Sequence, residues 1–190
     1  MLRVKDILKE IEQYAPLPLQ ESFDNAGVQV GDVNQPATGA LLCLDVTEEV
    51  VDEAIEMGCN LIVSHHPLAF KAFKSLTGST YIERCMMKAC KYDLVIYAAH
   101  TNLDNAAGGV NFRLAELIGL EKILPAFRKS TVTRALLSVH PYEEPVFDFY
   151  PLDNAWNQVG SGVVGELPEE ESELGFLQRI KELFQVGCVK

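Results

Sequence analysis

Three of the chain's four histidines and one aspartate follow two apolar segments, in a pattern that favours metal binding. These residues are His65, His66, His100 and Asp104. The histidine doublet comes directly after the apolar segment 61–64, and the other two residues follow the apolar segment 94–99. Imidazole and carboxylate groups together form ligand sets for zinc, manganese, iron or nickel. The pattern therefore predicts a site for divalent metal ions.

Each of these residues has a structural alternative to its functional interpretation. Adjacent histidines could cap the end of a strand with hydrogen bonds, and Asp104 could form an Asx turn or cap a helix. In the functional interpretation, His65 and His66 each bind a different ion of a close metal pair, and the Asp104 carboxylate bridges the two ions. His100 could be a further ligand or a residue that orients one, and it is the candidate general base.

Several weaker signals stand beside this cluster. Asp24 and Asp45 are typical of turns more than of ligands, and His140 is interpreted mainly as a structural or interface histidine. The segment Gly160-x-Gly-x-x-Gly165 matches the dinucleotide fingerprint by letter. We reject that match, because no helix is predicted to begin within it and acidic residues follow.

The order of the predicted elements explains how distant residues could meet. Short apolar segments at 40–46, 61–64 and 94–99 predict buried strands, and helices are predicted at 3–14, 47–58, 80–91 and 110–118. Thr47 is predicted to cap the second helix, and Thr80-x-x-Glu83 is predicted to form a capping box at the start of the third. This β-α-β-α-β-α order favours a parallel sheet covered by helices. Ligands of such sheets collect beyond the carboxyl ends of the strands, and Asp45, His65, His66, His100 and Asp104 are all expected at these ends.

The remaining sequence is less regular. Residues 121–138 lack a clear period, residues 139–152 are expected to be extended, and 160–165 are expected to form a loop. Ser172 is predicted to cap a final helix whose inner face carries Leu174, Leu177, Ile180 and Phe184.

Composition excludes several classes of function. The chain has 16 basic and 27 acidic residues, for a net charge of −11, which disfavours unspecific binding to nucleic acid. No apolar stretch approaches the roughly 20 residues that a membrane span requires. The first residues contain no apolar signal core, so we expect a cytoplasmic protein.

Three segments together resemble the NIF3-like family, also described as GTP cyclohydrolase I type 2 homologues. They are residues 21–31 (Glu-Ser-Phe-Asp-Asn-Ala-Gly-Val-Gln-Val-Gly), 64–68 (Ser-His-His-Pro-Leu) and 99–104 (Ala-His-Thr-Asn-Leu-Asp). The resemblance implies an α/β fold, a dinuclear metal site and homohexamers built as rings. It also implies that His65, His66 and Asp104 are metal ligands and that His100 lines the same site.

The resemblance further implies three regions. Residues 1–124 match the first half of the NIF3-like metal-binding domain, 125–158 resemble a remnant of a ferredoxin-like (PII-like) insertion, and 159–190 resemble the return to the main domain. The family's second half, with a late His and Glu that bind metal, has no counterpart in this sequence. The sequence is therefore expected to supply half of the metal site.

Two divalent ions in one cleft predict hydrolysis. The family's name implies opening of the purine ring of GTP, a nucleotide substrate, with release of formate. A metal-dependent phosphoester hydrolase would use the same ligands. A non-catalytic metal-binding protein with a regulatory or scaffold role is the alternative from another class.

Overall fold

The computed structural model describes residues 1–125, 136–139, 141–142, 145 and 160–189. The chain divides into two compact units, Met1–Ala106 and Ala107–Lys190, which are described separately below. The expected extended segment 139–152 and His140 lie largely or wholly outside the described residues.

The first unit is an α/β layer structure. Its elements are α1 Val4–Tyr14, a 3-10 turn Leu17–Leu19, β1 Gly27–Val30, β2 Ala40–Cys43, α2 Glu48–Glu56, β3 Leu61–Ser64, α3 Tyr81–Lys91, β4 Val95–Ala98 and α4 Thr101–Asn105. The sheet has the order β1-β4-β3-β2. Strand β3 pairs in parallel with both β2 and β4, whereas β1 pairs antiparallel with β4. The predicted α/β fold with a mostly parallel sheet is confirmed.

Helices cover both faces of this sheet, because successive strand residues point to opposite sides. Ile62 and Ile96 pack on one side with residues of α2 and α3, such as Val51 and Cys85. On the other side, Leu61, Val95 and Tyr97 pack against Val4 and Leu8 of α1. Burial on both faces explains why β3 and β4 have nearly continuous apolar sequences.

Strand β1 is not among the elements that the sequence predicts. The strand is four residues long and contains the polar Gln29, so it carries little periodic signal. Its pairing with β4 is irregular between Val28 and Val30. Gly31 follows with a φ of +103°, a conformation that favours glycine.

The predicted helix starts are confirmed, with one difference in detail. Thr47 accepts a hydrogen bond from the backbone N–H of Val50, and Ser172 accepts one from that of Gly175. Thr80 accepts one from the N–H of Glu83. The Glu83 carboxylate, however, accepts its backbone bonds from Thr77 and Ser79 and so does not complete a capping box with the N–H of Thr80.

The second unit contains α5 Val110–Leu117, β5 Glu121–Pro125, β6 Val163–Glu166 and α6 Glu173–Leu183. Strands β5 and β6 form an antiparallel pair. The expectation of a loop over 160–165 is therefore wrong for residues 163–165, where alternating exposure marks a two-stranded sheet that is open on one face. Among the described residues, no helix is long and apolar enough to cross a membrane.

Candidate metal centre

The imidazole rings of His65, His66 and His100 converge at one place in the first unit. Their ring centroids lie 5.0 Å apart for His65 and His66, 5.3 Å for His65 and His100, and 5.6 Å for His66 and His100. One potential ligand atom from each ring lies within 4.8 Å of the other two. Strands β3 and β4 are neighbours, so the residues that follow them meet at the same sheet edge.

The backbone holds the doublet rigidly. The N–H groups of His65 and His66 donate to the carbonyl oxygens of Cys43 and Leu44, at 3.2 and 3.0 Å. Ser64 Oγ donates to the carbonyl oxygen of His66 at 2.9 Å, which bends the chain directly after β3. As a result, the two adjacent rings are tilted by 49° and share one site, although neighbours along a regular strand would point apart.

Each imidazole has its Nδ1 atom engaged by an oxygen acceptor. His65 Nδ1 lies 2.9 Å from the carbonyl oxygen of Ala99. The carboxylates of Asp45 and Asp24 lie 2.7 and 2.8 Å from Nδ1 of His66 and His100, respectively. A carbonyl or ionised carboxylate only accepts hydrogen bonds, so Nδ1 carries the proton in each ring. In the neutral rings, Nε2 is then the nitrogen with a lone pair for a ligand.

Asp24 is built into the interior of the site. Its side chain is fully buried, and it accepts hydrogen bonds from both the backbone N–H and the hydroxyl of Thr101 in addition to that from His100. Burial alone would raise the pKa of this carboxyl, but the hydrogen bonds from Thr101 and His100 hold the pKa below its usual value. Asp24 therefore stays ionised and fixes the orientation of His100.

Asp104 lies on α4, the short helix that begins after His100. Its Oδ1 lies 3.7 Å from His65 Nε2. Burial raises the pKa of the Asp104 carboxyl, and the nearby His65 and His100 oppose this shift only in part. A cation bound beside the carboxylate would favour its ionised form, as opposite charges do.

The donor set fits a divalent transition metal. Three neutral imidazole nitrogens and a partly buried carboxylate converge, and each imidazole has the carbonyl or carboxylate partner that metal-binding histidines commonly have. Imidazole nitrogen and carboxylate oxygen are ligands that zinc and related ions accept. The described residues can therefore hold a metal ion.

The sequence-predicted residues meet as expected, but their individual roles stay predictions. His65, His66 and Asp104 as ligands, and His100 as catalytic base, are all compatible with this arrangement. The geometry also makes His100 an equal donor within the cluster. Sequence reasoning underrated Asp24 and Asp45 as turn residues, although they bind the Nδ1 atoms of His100 and His66. Asp45 could have been favoured by its place just after β2, but no local signal singles out Asp24.

An open cleft of about 610 Å³ adjoins the cluster at His66. Its lining is mostly apolar and includes Leu68, Phe73, Tyr81 and Ile82. The ring of Phe70, another lining residue, meets the ring of His100 edge-on, with 5.6 Å between the centroids. The cleft therefore continues from the imidazoles along the segment that follows the doublet.

Comparison with known proteins gives one consistent family. The sequence model of the Duf34/NIF3 family (NGG1p interacting factor 3) matches residues 2–190. A protein of Clostridium acetobutylicum named GTP cyclohydrolase 1 type 2 homolog is 40% identical over 189 residues, which cover 100% of this chain and 62% of that protein. A protein of the same name from Halalkalibacterium halodurans is 30% identical over 265 residues, and the match covers 97% of this chain and 71% of that protein.

Solved structures agree with these sequence matches. A Staphylococcus aureus protein is 34% identical with a TM-score of 0.78, and the match covers 100% of this chain and 67% of that protein. A Bacillus cereus protein described as related to NIF3 is 29% identical with a TM-score of 0.75, covering 98% and 71%. The chain thus spans only part of the length of its relatives, 62% for the Clostridium acetobutylicum protein.

Proposed function

The chain belongs to the Duf34/NIF3 family, and on that premise we propose that it binds a pair of divalent metal ions and takes part in metal-dependent hydrolysis. The metal is zinc, manganese, iron or nickel, since each accepts mixed nitrogen and oxygen ligands. His65, His66 and Asp104 would hold these ions. Part of the dinuclear site then comes from outside the described residues.

One observation carries this proposal. Three imidazoles converge, and the Nδ1 atom of every one of them is held by an oxygen acceptor, which leaves each Nε2 lone pair available to bind a metal ion or, in His100, to accept a proton. In a purely structural cluster, such partners would only satisfy the imidazole N–H groups. Metal ligands gain a fixed tautomer, a fixed orientation and higher basicity.

In this proposal, the bound ions, His100 and Asp24 have distinct chemical roles. Such ions, when bound, act as Lewis acids and make water nucleophilic near neutral pH. His100 accepts a proton at Nε2, while its Nδ1–H continues to donate to Asp24. The ionised Asp24 stabilises the imidazolium that forms, as buried carboxylates do in other histidine dyads. His66 marks the end of the cleft through which a substrate reaches the cluster.

The relatives' name, GTP cyclohydrolase 1 type 2 homolog, makes GTP the substrate to test first. Hydrolysis of the purine ring would release formate. A phosphoester hydrolase is the second candidate, because Lys71, which has no ion pair among the described residues, lines the cleft and could bind a phosphate group.

The first experiment measures bound metal per chain by elemental analysis, on protein purified without chelator or nickel resin. We expect two ions per chain in wild-type protein that spans the full length of the relatives, and none in its His65→Ala, His66→Ala double variant. His140→Ala is the matched control and should keep its metal, since this histidine has no predicted ligand role. One ion per chain would correct the pair to a single site, and no metal in the wild type would overturn the proposal.

A second measurement separates enzyme from scaffold. Metal-replete protein is incubated with GTP, and released formate is quantified. His100→Ala should abolish turnover and retain metal if His100 is the base, whereas loss of both would make it a ligand. If metal-replete wild type hydrolyses neither GTP nor an aryl phosphate, the protein is a non-catalytic metal-binding scaffold and the hydrolase proposal is wrong.

A further inference from the structure

The segment after the histidine doublet has an unusual charge for this chain. Residues 67–82 include Lys71 and Lys74 but no acidic residue, whereas the whole chain carries a net charge of −11. Many basic side chains elsewhere are paired, as Arg84 is with Glu48 and Lys88 with Asp52. Within the described residues, neither Lys71 nor Lys74 has an ion pair. Of these two lysines, Lys71 lines the cleft that adjoins the imidazole cluster at His66.

The carboxylates that line the cleft do not neutralise Lys71. Asp45 is engaged by His66 Nδ1 at 2.7 Å. Glu83 accepts hydrogen bonds from the N–H and hydroxyl groups of Thr77 and Ser79, at 2.8 to 3.2 Å. Lys71 therefore remains available to an anion that enters the cleft.

The cleft is lined in part by exposed aromatic side chains. Phe70, Phe73 and Tyr81 are 51%, 40% and 50% exposed, although burial of such rings is strongly favourable. The base of the cleft is held by hydrogen bonds on both sides of the backbone of Ala69. Its carbonyl oxygen accepts from Asn25 Nδ2 at 2.7 Å, and its N–H donates to Gln29 Oε1 at 3.3 Å.

We propose that this cleft is a binding subsite for an aromatic organic anion, in which Lys71 binds the anionic group and the exposed aromatic side chains pack against the ring. A flat ring would bury apolar surface that is otherwise exposed, and a charged group would pair with a cation that has no partner. This inference rests on the proposed function, because it places the substrate of the same site next to His66. Phosphate and carboxylate anions satisfy the same chemistry.

Binding is tested with 1-naphthyl phosphate, followed by its intrinsic fluorescence, on full-length protein from which metal has been removed with chelator. The same measurement is made with three comparison ligands, namely 1-naphthoate, inorganic phosphate and the neutral 1-naphthalenemethanol. We expect Lys71→Gln to weaken binding of both aromatic anions about fivefold and to leave the neutral alcohol unchanged. Phe73→Ala should weaken all three aromatic probes by about fivefold to tenfold.

Lys9→Gln is the matched control, because it removes the same charge from α1, the helix on the other face of the sheet. An equal loss of anion affinity in Lys9→Gln would show that the effect comes from net charge alone, and it would overturn the proposed subsite. Absence of binding to wild type at millimolar probe would overturn it as well. If Lys71→Gln weakens binding of 1-naphthyl phosphate more than that of 1-naphthoate, the substrate carries a phosphate group. If it weakens binding of 1-naphthoate more, the substrate carries a carboxylate.

The outcomes separate this inference from the proposed function. Intact metal binding with no effect of Lys71→Gln would refute the subsite alone. A Lys71-dependent probe site in a protein that binds no metal would refute the hydrolase and keep the subsite. If Phe73→Ala fails to fold, binding to the surface variant Lys71→Gln alone tests the proposed subsite.

Discussion

At the scale of single residues, the buried carboxylate of Asp24 does the most to define the candidate site. It accepts from three donors, namely His100 Nδ1, the Thr101 N–H and the Thr101 hydroxyl. An ionised carboxylate can satisfy all three, whereas an amide can present only one accepting oxygen. The position therefore requires an acid and not simply a polar side chain.

Asp24→Asn should lower metal affinity by about 10-fold to 100-fold, as loss of such orienting partners commonly does. Zinc binding measured by titration against a competing chelator tests this. The control is Asp32→Asn, because Asp32 accepts hydrogen bonds from Asn34 in a turn outside the histidine cluster. Unchanged zinc affinity in Asp24→Asn would show that the Asp24–His100 contact has no part in metal binding.

A second carboxylate, that of Glu83, controls stability toward acid. Hydrogen bonds from the backbone and hydroxyl of Thr77 and the hydroxyl of Ser79 lower its pKa from 4.5 to about 2. Because the pKa of Glu83 is lower in the folded than in the unfolded state, its ionised carboxylate stabilises the fold. This stabilisation is complete above pH 4.5, the unfolded pKa, and is lost as the pH falls toward 2. The segment 77–80, which leads into α3, should loosen in that range.

Glu83→Gln should therefore be less stable than wild type at neutral pH, and the difference should shrink as the pH falls from 4.5 to 2. Urea unfolding at a series of pH values measures this. Glu56→Gln, an exposed position on α2, serves as the control and should show no such convergence. A constant difference between Glu83→Gln and wild type across this range would contradict the hydrogen-bonded arrangement.

At the scale of elements, the edge strand β1 depends on a glycine at its end. Gly31 has a φ of +103°, and a Cβ atom there would lie 2.4 Å from the carbonyl oxygen of Leu94 and 2.8 Å from Cα of Val95. Both obstacles are backbone atoms and cannot move without separating β1 from β4. Asn25 and Gln29, which brace the base of the cleft, lie just before and within this strand.

Gly31→Ala should destabilise the protein by about 3 kcal/mol, since it combines backbone strain with overpacking. Gly58→Ala provides the matched comparison. Gly58 also has positive φ, at +69°, but a Cβ there would meet nothing within 4 Å, so about 1 kcal/mol is expected. Chemical denaturation of both variants measures the difference, and equal losses would show that the contact with β4 is not the cause.

At the scale of the whole molecule, one edge of the sheet carries exposed leucines. Strand β2 forms the edge opposite β1, and Leu42 within it and Leu44 just after it are 76% and 60% exposed. Exposed apolar edges favour pairing with another surface. We propose that the chain assembles as a homo-oligomer, with the hexamer as its expected form.

Light scattering coupled to size-exclusion chromatography should give a mass six times that of the 21.0 kDa chain. A Leu42→Lys, Leu44→Lys double variant should shift the protein toward smaller species, because charge at a sheet edge opposes pairing. A monomeric wild type at micromolar concentration would contradict the proposal. An unchanged hexamer in the double variant would place the interface elsewhere.

The sequence by itself determined the strands that place the histidines and the helices between those strands. Apolar runs, caps such as Thr47 and Ser172, and helical periodicity are local signals, and they act over a few residues. The meeting of His65, His66 and His100 followed from one further rule, that parallel strands end at a common edge.

The tertiary structure alone decided which groups hold these histidines in place. Asp24 is 76 positions from His100 in the chain, and no local pattern relates the two residues. Their contact depends on β1 joining the sheet antiparallel beside β4, a short pairing that carries little periodic signal. Likewise, the lack of an ion pair at Lys71 depends on where every acidic side chain of the first unit lies. Hydrogen-bond partners and charge pairing arise from long-range packing, which periodicity does not encode.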